Sequence, residues 1–176
     1  MSHLNKIVIS LVIGLVYIVL IKGYAQEVQI NADFFELDGD KQEVNASGNV
    51  TVYQKDAVIT GERARFDKEK NVIQLFGNVQ FKKDKLIIHC SHINAYTKKD
   101  LIEAIGPIKM SYLDVKGEAE KATYNVKQNV ITLSGSPKAW QKTDELSGEI
   151  IQIDLKYSKI TTKGQAKVKF SREIQW

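Results

Sequence analysis

Five glycines, Gly48, Gly77, Gly106, Gly135 and Gly164, stand 29 residues apart without a single insertion. Spacing kept that strictly calls for a repeat architecture before any other, because each copy must place its glycine in an equivalent environment. Two and four residues to either side, every copy is apolar except at Thr162: Val44, Ala46, Val50 and Val52 flank the first glycine, Ile73, Leu75, Val79 and Phe81 the second. The interleaved positions are polar apart from Phe76, Ile105 and Pro107. Alternation with period two over nine residues makes a strand, since successive side chains of an extended chain point to opposite faces. The glycine sits on the apolar face, where a missing side chain lets the strand bend or lets another backbone come close.

A second set of columns keeps the same period. Ile30, Ile59, Ile88, Gly117 and Leu146 form one, Ala32, Gly61, Cys90, Ala119 and Gly148 a column of small residues, and Asp33, Glu62, Ser91, Glu120 and Glu149 a mostly acidic one. The apolar register slips by one before the next column, Phe35, Ala64, Ile93, Ala122 and Ile151, and the slip predicts a bulge or corner. Polar stretches such as Asp38-Gly39-Asp40-Lys41 and Asp67-Lys68-Glu69-Lys70 read as turns. The five copies run from about 28 to 172, leaving no room for a second domain or a linker. Each copy is expected to supply two or three short strands with one apolar face that it cannot bury alone. Stacking lines those faces into a continuous interior. The stack then has an open strand edge at each end, ready to pair with another strand.

Ahead of the repeats, Lys6 precedes an uninterrupted apolar run from Ile7 to Ile21, followed by Lys22-Gly23-Tyr24-Ala25. Residues 1–25 read as a cleaved secretory signal peptide: the run is short for a bilayer span, and Gly23 and Ala25 supply a small-x-small cleavage pattern. Residues 26–176 are then a single exported β domain. Retention of the run as a membrane anchor, with Lys22 snorkelling to the interface, is the alternative. The leader carries two lysines and no acid, so removing it lowers the net charge from +4 to +2, and a strongly electrostatic partner such as nucleic acid is not expected. One cysteine, Cys90, excludes an internal disulfide.

No catalytic grouping stands out, and neither an enzyme activity, a metal nor a cofactor is expected. In His89-Cys90-Ser91-His92 the first two side chains of a strand point to opposite faces, and no second Cys/His cluster completes a tetrahedral set. Cys90 belongs instead to the small buried column, and the histidines to the surface or rim. Acidic pairs such as Asp38 with Asp40 or Asp144 with Glu145 lie in turns, with nothing to hold them across a cleft as glycoside cleavage requires. Gly48-Asn49-Val50, partly repeated at Gly77-Asn78-Val79, opens no helix and so cradles no phosphate.

The run Val28-Gln29-Ile30-Asn31-Ala32-Asp33, then Gly48-Asn49-Val50-Thr51-Val52, then Ile59-Thr60-Gly61-Glu62-Arg63-Ala64, resembles the opening of the LptA/OstA-like family. The stretch Val130-Ile131-Thr132-Leu133-Ser134-Gly135-Ser136-Pro137, with Trp140-Gln141 and Leu146-Ser147-Gly148-Glu149-Ile150-Ile151, is similar to the family's closing half. The resemblance implies an all-β, repeat-built antiparallel β-jellyroll, partly open, with a V-shaped apolar trough along its length. It implies a periplasmic protein that binds lipopolysaccharide, takes the acyl chains of lipid A into the trough and leaves the sugars outside. It also implies head-to-tail self-association by strand addition, and bridging between an inner-membrane LptC-like and an outer-membrane LptD-like component. On this reading the trough-facing candidates are Phe35, Leu37, Val50, Val52, Phe66, Leu75, Val79, Phe81, Ile108 and Met110. Two other readings keep the repeats: an anchored LptC-like component of the same pathway, and a polymerising β-solenoid scaffold with a dry interior and no lipid.

Overall fold

The computed structural model describes residues 16–18 and 28–171. The leader therefore lies outside the described residues except for β1 (Val16–Ile18), whose backbone pairs antiparallel with β2 (Val28–Asn31). The repeats form β3 (Phe34–Asp38), β4 (Glu43–Gln54), β5 (Ala57–Asp67), β6 (Val72–Lys83), β7 (Leu86–Tyr96), β8 (Leu101–Tyr112) and β9 (Val115–Asn125). They continue through β10 (Val130–Ser134), β11 (Lys138–Gln141), β12 (Asp144–Ser147), β13 (Ile150–Asp154), β14 (Lys159–Lys163) and β15 (Lys167–Lys169). All pairings are antiparallel, and the last strands do not return to the first, so the sheet is unclosed.

From β4 to β9 each 29-residue period is one long strand out and one long strand back, which corrects the expectation of two or three short strands per copy there; short strands remain toward the two ends, in β2–β3 and β10–β15. The pairing of β4 through β9 breaks register at one place in every pair, between Ser47 and Val50, Thr60 and Arg63, Phe76 and Val79, His89 and His92, and Ile105 and Ile108. A bulge bends a strand without ending it, so one strand serves two layers. In β10–β11 and β12–β13 the same bend falls in a short gap between two named strands. The breaks line up into a crease, and the sheet folds along it into two arms. The first arm carries β3, one half of each long strand, β10, β13 and β14; the second carries β1, β2, the other halves, β11, β12 and β15.

The glycine column is that crease. Its five glycines have φ between +69° and +101°, and the next residue is also left-handed at Asn49, Asn78, Ser136 and Gln165. Pro107 is the exception, its ring fixing φ negative. Only glycine takes this backbone freely. What comes close to each glycine is a side chain rather than a backbone: a Cβ there would strike Asp33, Glu62, Ser91, Glu120 and Glu149 in turn. The acidic column thus caps the glycine column. Backbone bonds Asp33 N–H to Gly48 O (2.9 Å), Glu120 N–H to Gly135 O (3.1 Å) and Glu149 N–H to Gly164 O (3.0 Å) tie the two together. Side-chain bonds from Asn49 Nδ2 to Asp33 Oδ2 (2.9 Å) and Asn78 Nδ2 to Glu62 Oε1 (2.6 Å) add to them.

The core lies between the arms. Paired residues share a face, so Val44 with Phe66, Leu75 with Ile93, and Val52 with Ile59 point inward together and are buried. Where a column bears glycine the opposite arm and the neighbouring strand fill the space: a Cβ on Gly117 would lie 2.8 Å from Leu133 Cδ1 across the core and 2.9 Å from Cγ of its cross-strand partner Met110.

Candidate functional site

The free margins of the two arms form a mouth opposite the crease, and the two margins are built differently. On the first arm, four-residue turns are laced together by backbone bonds that keep the repeat: Lys68 N–H to Gln42 O (3.1 Å), Thr97 N–H to Asn71 O (3.1 Å), Val126 N–H to Asp100 O (2.9 Å) and Leu155 N–H to Asn129 O (2.9 Å). All four acceptor residues have positive φ, which turns their carbonyls toward the next turn. The second arm ends in two-residue turns at Lys55-Asp56, Asp84-Lys85, Leu113-Asp114 and Lys142-Thr143. The first residue of each is left-handed.

Between the margins the interior is filled by the protein's own side chains. Phe81 of the second arm meets Tyr124 of the first, ring centroids 5.9 Å apart. Burial, with Asp56 and Asp84 nearby, pushes the Tyr124 phenol up to about 12, and its hydroxyl donates to Asn129 Oδ1 at 3.0 Å. Above them lies a cleft of about 50 Å³, lined from the second margin by Gln54, Ala57 and Lys83 and from the first by Ala95, Thr97, Ile102 and Val126. That is room for a few water molecules, not for a lipid chain. Lys83 points inward and binds Asp56 at 2.7 Å; its hydrogen bond holds the Asp56 carboxyl below the usual carboxylate range.

Of the trough candidates, Val50, Val52, Phe66, Leu75, Val79, Phe81, Ile108 and Met110 all face the interior and are buried. Phe35 and Leu37 lie on the same face, opposite Ala46 and Val44, but β3 is an edge strand with no further strand beyond it among the described residues. Phe35 is half-buried and Leu37 is 48% exposed. The structure brings the first eight into one core and leaves these two at the open end of the trough.

Cys90 is buried in the small column, and burial pushes its thiol up to about 11. His92 stacks on Phe76 on the outer face of the first arm, 4.3 Å between centroids. Among the described residues no three His, Cys, Asp or Glu side chains are grouped to hold a metal, and no helix is long and apolar enough to cross a membrane. A larger hollow, about 370 Å³, lies on the outer face between Phe34, Arg63, Arg65 and Phe76, away from the trough. Sequence reasoning passed over Tyr112, whose inward hydroxyl donates across the mouth to Leu155 O at 2.9 Å. The available signal was next to it: Leu113 stands in a turn column otherwise filled by Lys55, Asp84 and Lys142.

No curated protein matches the chain. The crystal structure of LptH, described as the LptA homologous periplasmic component of the conserved lipopolysaccharide transport device from Pseudomonas aeruginosa, is 18% identical. The match covers 84% of this chain and 96% of that one, with a TM-score of 0.38. The family model for the LptA/(LptD N-terminal domain) LPS transport protein matches residues 29–159, most of the chain and nearly all of the repeats. The chain belongs to the LptA/LptD N-terminal domain family of lipopolysaccharide transport proteins.

Proposed function

We propose that this protein is a periplasmic carrier of lipopolysaccharide that holds the acyl chains of lipid A between its two arms. The observation that supports this most is an apolar interior running the whole length of the repeats, hinged along one side and unclosed along the other. Several acyl chains cannot cross an aqueous compartment exposed, since each buried methylene is worth about 0.8 kcal/mol. A trough of aliphatic columns repeated every 29 residues offers the lipid a series of near-equivalent positions and no specific hydrogen bond to release. The interior is filled by the protein's own side chains, so on this reading loading replaces contacts such as Phe81 with Tyr124 by contacts with lipid, and the arms part at the mouth.

The open ends support head-to-tail joining. β3 and β1 form one pair of terminal strands and β14 and β15 the other. Exposed Phe34 and Leu37 lie at the first end, and exposed Tyr157, Val168 and Phe170 at the second. Apolar side chains such as Phe34, Leu37, Tyr157 and Val168 beside strands that have no further strand partner among the described residues suit addition of another strand, from a second copy or from related domains at either membrane.

A photocrosslinking residue at Val52 or Phe81, compared with the outward Thr51, tests the trough. Capture of lipopolysaccharide from the two inward positions and not from Thr51 is expected. Equal capture from both faces, or none, sinks the assignment.

A further inference from the structure

Tyr112 and Leu155 sit at facing margins of the mouth, on β8 of the second arm and in the turn after β13 of the first, 43 residues apart in sequence. Tyr112 continues the inward-facing series of Ile108 and Met110, and Leu155 that of Ile151 and Ile153; all four of those residues are buried, and so is Leu155. The 2.9 Å hydrogen bond from the Tyr112 hydroxyl to the Leu155 carbonyl therefore spans the trough from tip to tip. The same Leu155 donates its N–H to Asn129 O, so the bond ties the free tip of the second arm to the last step of the laced margin of the first. Close to it in sequence stand two of the most exposed large hydrophobic side chains in the described residues. Leu113, 62% exposed, follows Tyr112, and Tyr157, 69% exposed, lies in the turn that starts at Leu155. An apolar pair beside a hydrogen bond that links the two margins is the arrangement a side entrance for hydrocarbon needs: a surface to receive the chain, and a cheap contact to release.

We infer that Tyr112 is a latch on a lateral entrance to the trough, that Leu113 and Tyr157 receive acyl chains there, and that loading from the side requires the Tyr112–Leu155 bond to open. The inference rests on the reading of the interior as a lipid site. One net hydrogen bond corresponds to about a two- to tenfold change in an opening equilibrium. Tyr112→Phe keeps the ring and removes only the donor.

The test follows stopped-flow uptake, by purified protein, of lipid A carrying a fluorescent acyl chain. Tyr112→Phe is expected to load about two- to tenfold faster than the parent and to the same final amplitude. A second variant places Leu113→Cys and Tyr157→Cys in a Cys90→Ala background and joins them with a reducible bis-maleimide; loading should stop when joined and return on reduction. Normal amplitude with an unchanged rate in Tyr112→Phe, or undiminished loading by the joined variant, overturns the latch while leaving the lipid site standing. No uptake by the parent overturns the lipid site, and the latch with it.

Discussion

The crease and the mouth run the same length of the molecule and are built on opposite rules. At the crease every copy repeats one device, a left-handed glycine with a polar or acidic side chain lying over it, and in β4 to β9 the strand bends there without ending. At the mouth the two margins differ, one laced turn to turn and the other ending in separate two-residue turns, and they meet through side chains that change from copy to copy. The difference teaches where the fold tolerates movement. Backbone geometry fixes the crease, whereas side-chain contacts close the mouth, packing such as Phe81 on Tyr124 and the Tyr112–Leu155 hydrogen bond, and on the proposed function those are the contacts a lipid replaces.

The largest expected effect tests the mouth. Phe81→Ala removes the ring that meets Tyr124 and should lower unfolding free energy by about 3–5 kcal/mol in urea titrations of the lipid-free protein. Bound lipid should recover part of that loss by occupying the space, and a deficit that lipid leaves untouched would break the contrast. Next comes the crease: Gly77→Val places a branched side chain at φ +80° against Glu62, and should cost about 2–4 kcal/mol whether or not lipid is present. Adding Glu62→Ala should remove the carboxylate from the collision but leave its Cβ contact and the backbone strain, so only part of the loss should return.

Gly117→Ala sharpens the comparison further, because Gly117 has no left-handed requirement and only makes room for Leu133 and Met110. A cost of about 1–3 kcal/mol is expected, largely relieved by Leu133→Val. The smallest effect is electrostatic. The lowered Asp56 carboxyl stabilises the fold above its ordinary value of 3.8, and that contribution disappears as pH falls through the depressed folded value. Asp56 is half exposed, so the loss should stay under about 1 kcal/mol, and Asp56→Asn should remove it from an acid titration of stability.

The crease was legible in the sequence because its requirement is local. A backbone that only glycine adopts freely leaves glycine at every repeat, and the slip in apolar register marked the bend. The acidic column was visible too, 15 residues before each glycine, but its purpose depends on which strand lies alongside, and spacing alone does not say so. That the bent strand stays continuous through both arms was likewise hidden, since a bulge and a corner leave the same slip in the pattern. The inward set from Val50 to Met110 followed from period two. Phe35 and Leu37 share that period, yet they differ in burial because exposure at an edge is a property of the stack and not of the strand. Tyr112 was missed because its partner is a carbonyl, and carbonyls leave no trace in side-chain columns.

The turn-to-turn lacing of one margin makes the molecule a ruler. Strands lie about 4.8 Å apart, so each 29-residue period, one strand out and one back, advances the stack by about 10 Å. The increment is set by hydrogen-bond spacing and owes nothing to the side chains that fill the interior. Deleting or duplicating one whole period should therefore shorten or lengthen the molecule by that same step, with every remaining turn finding its usual neighbour.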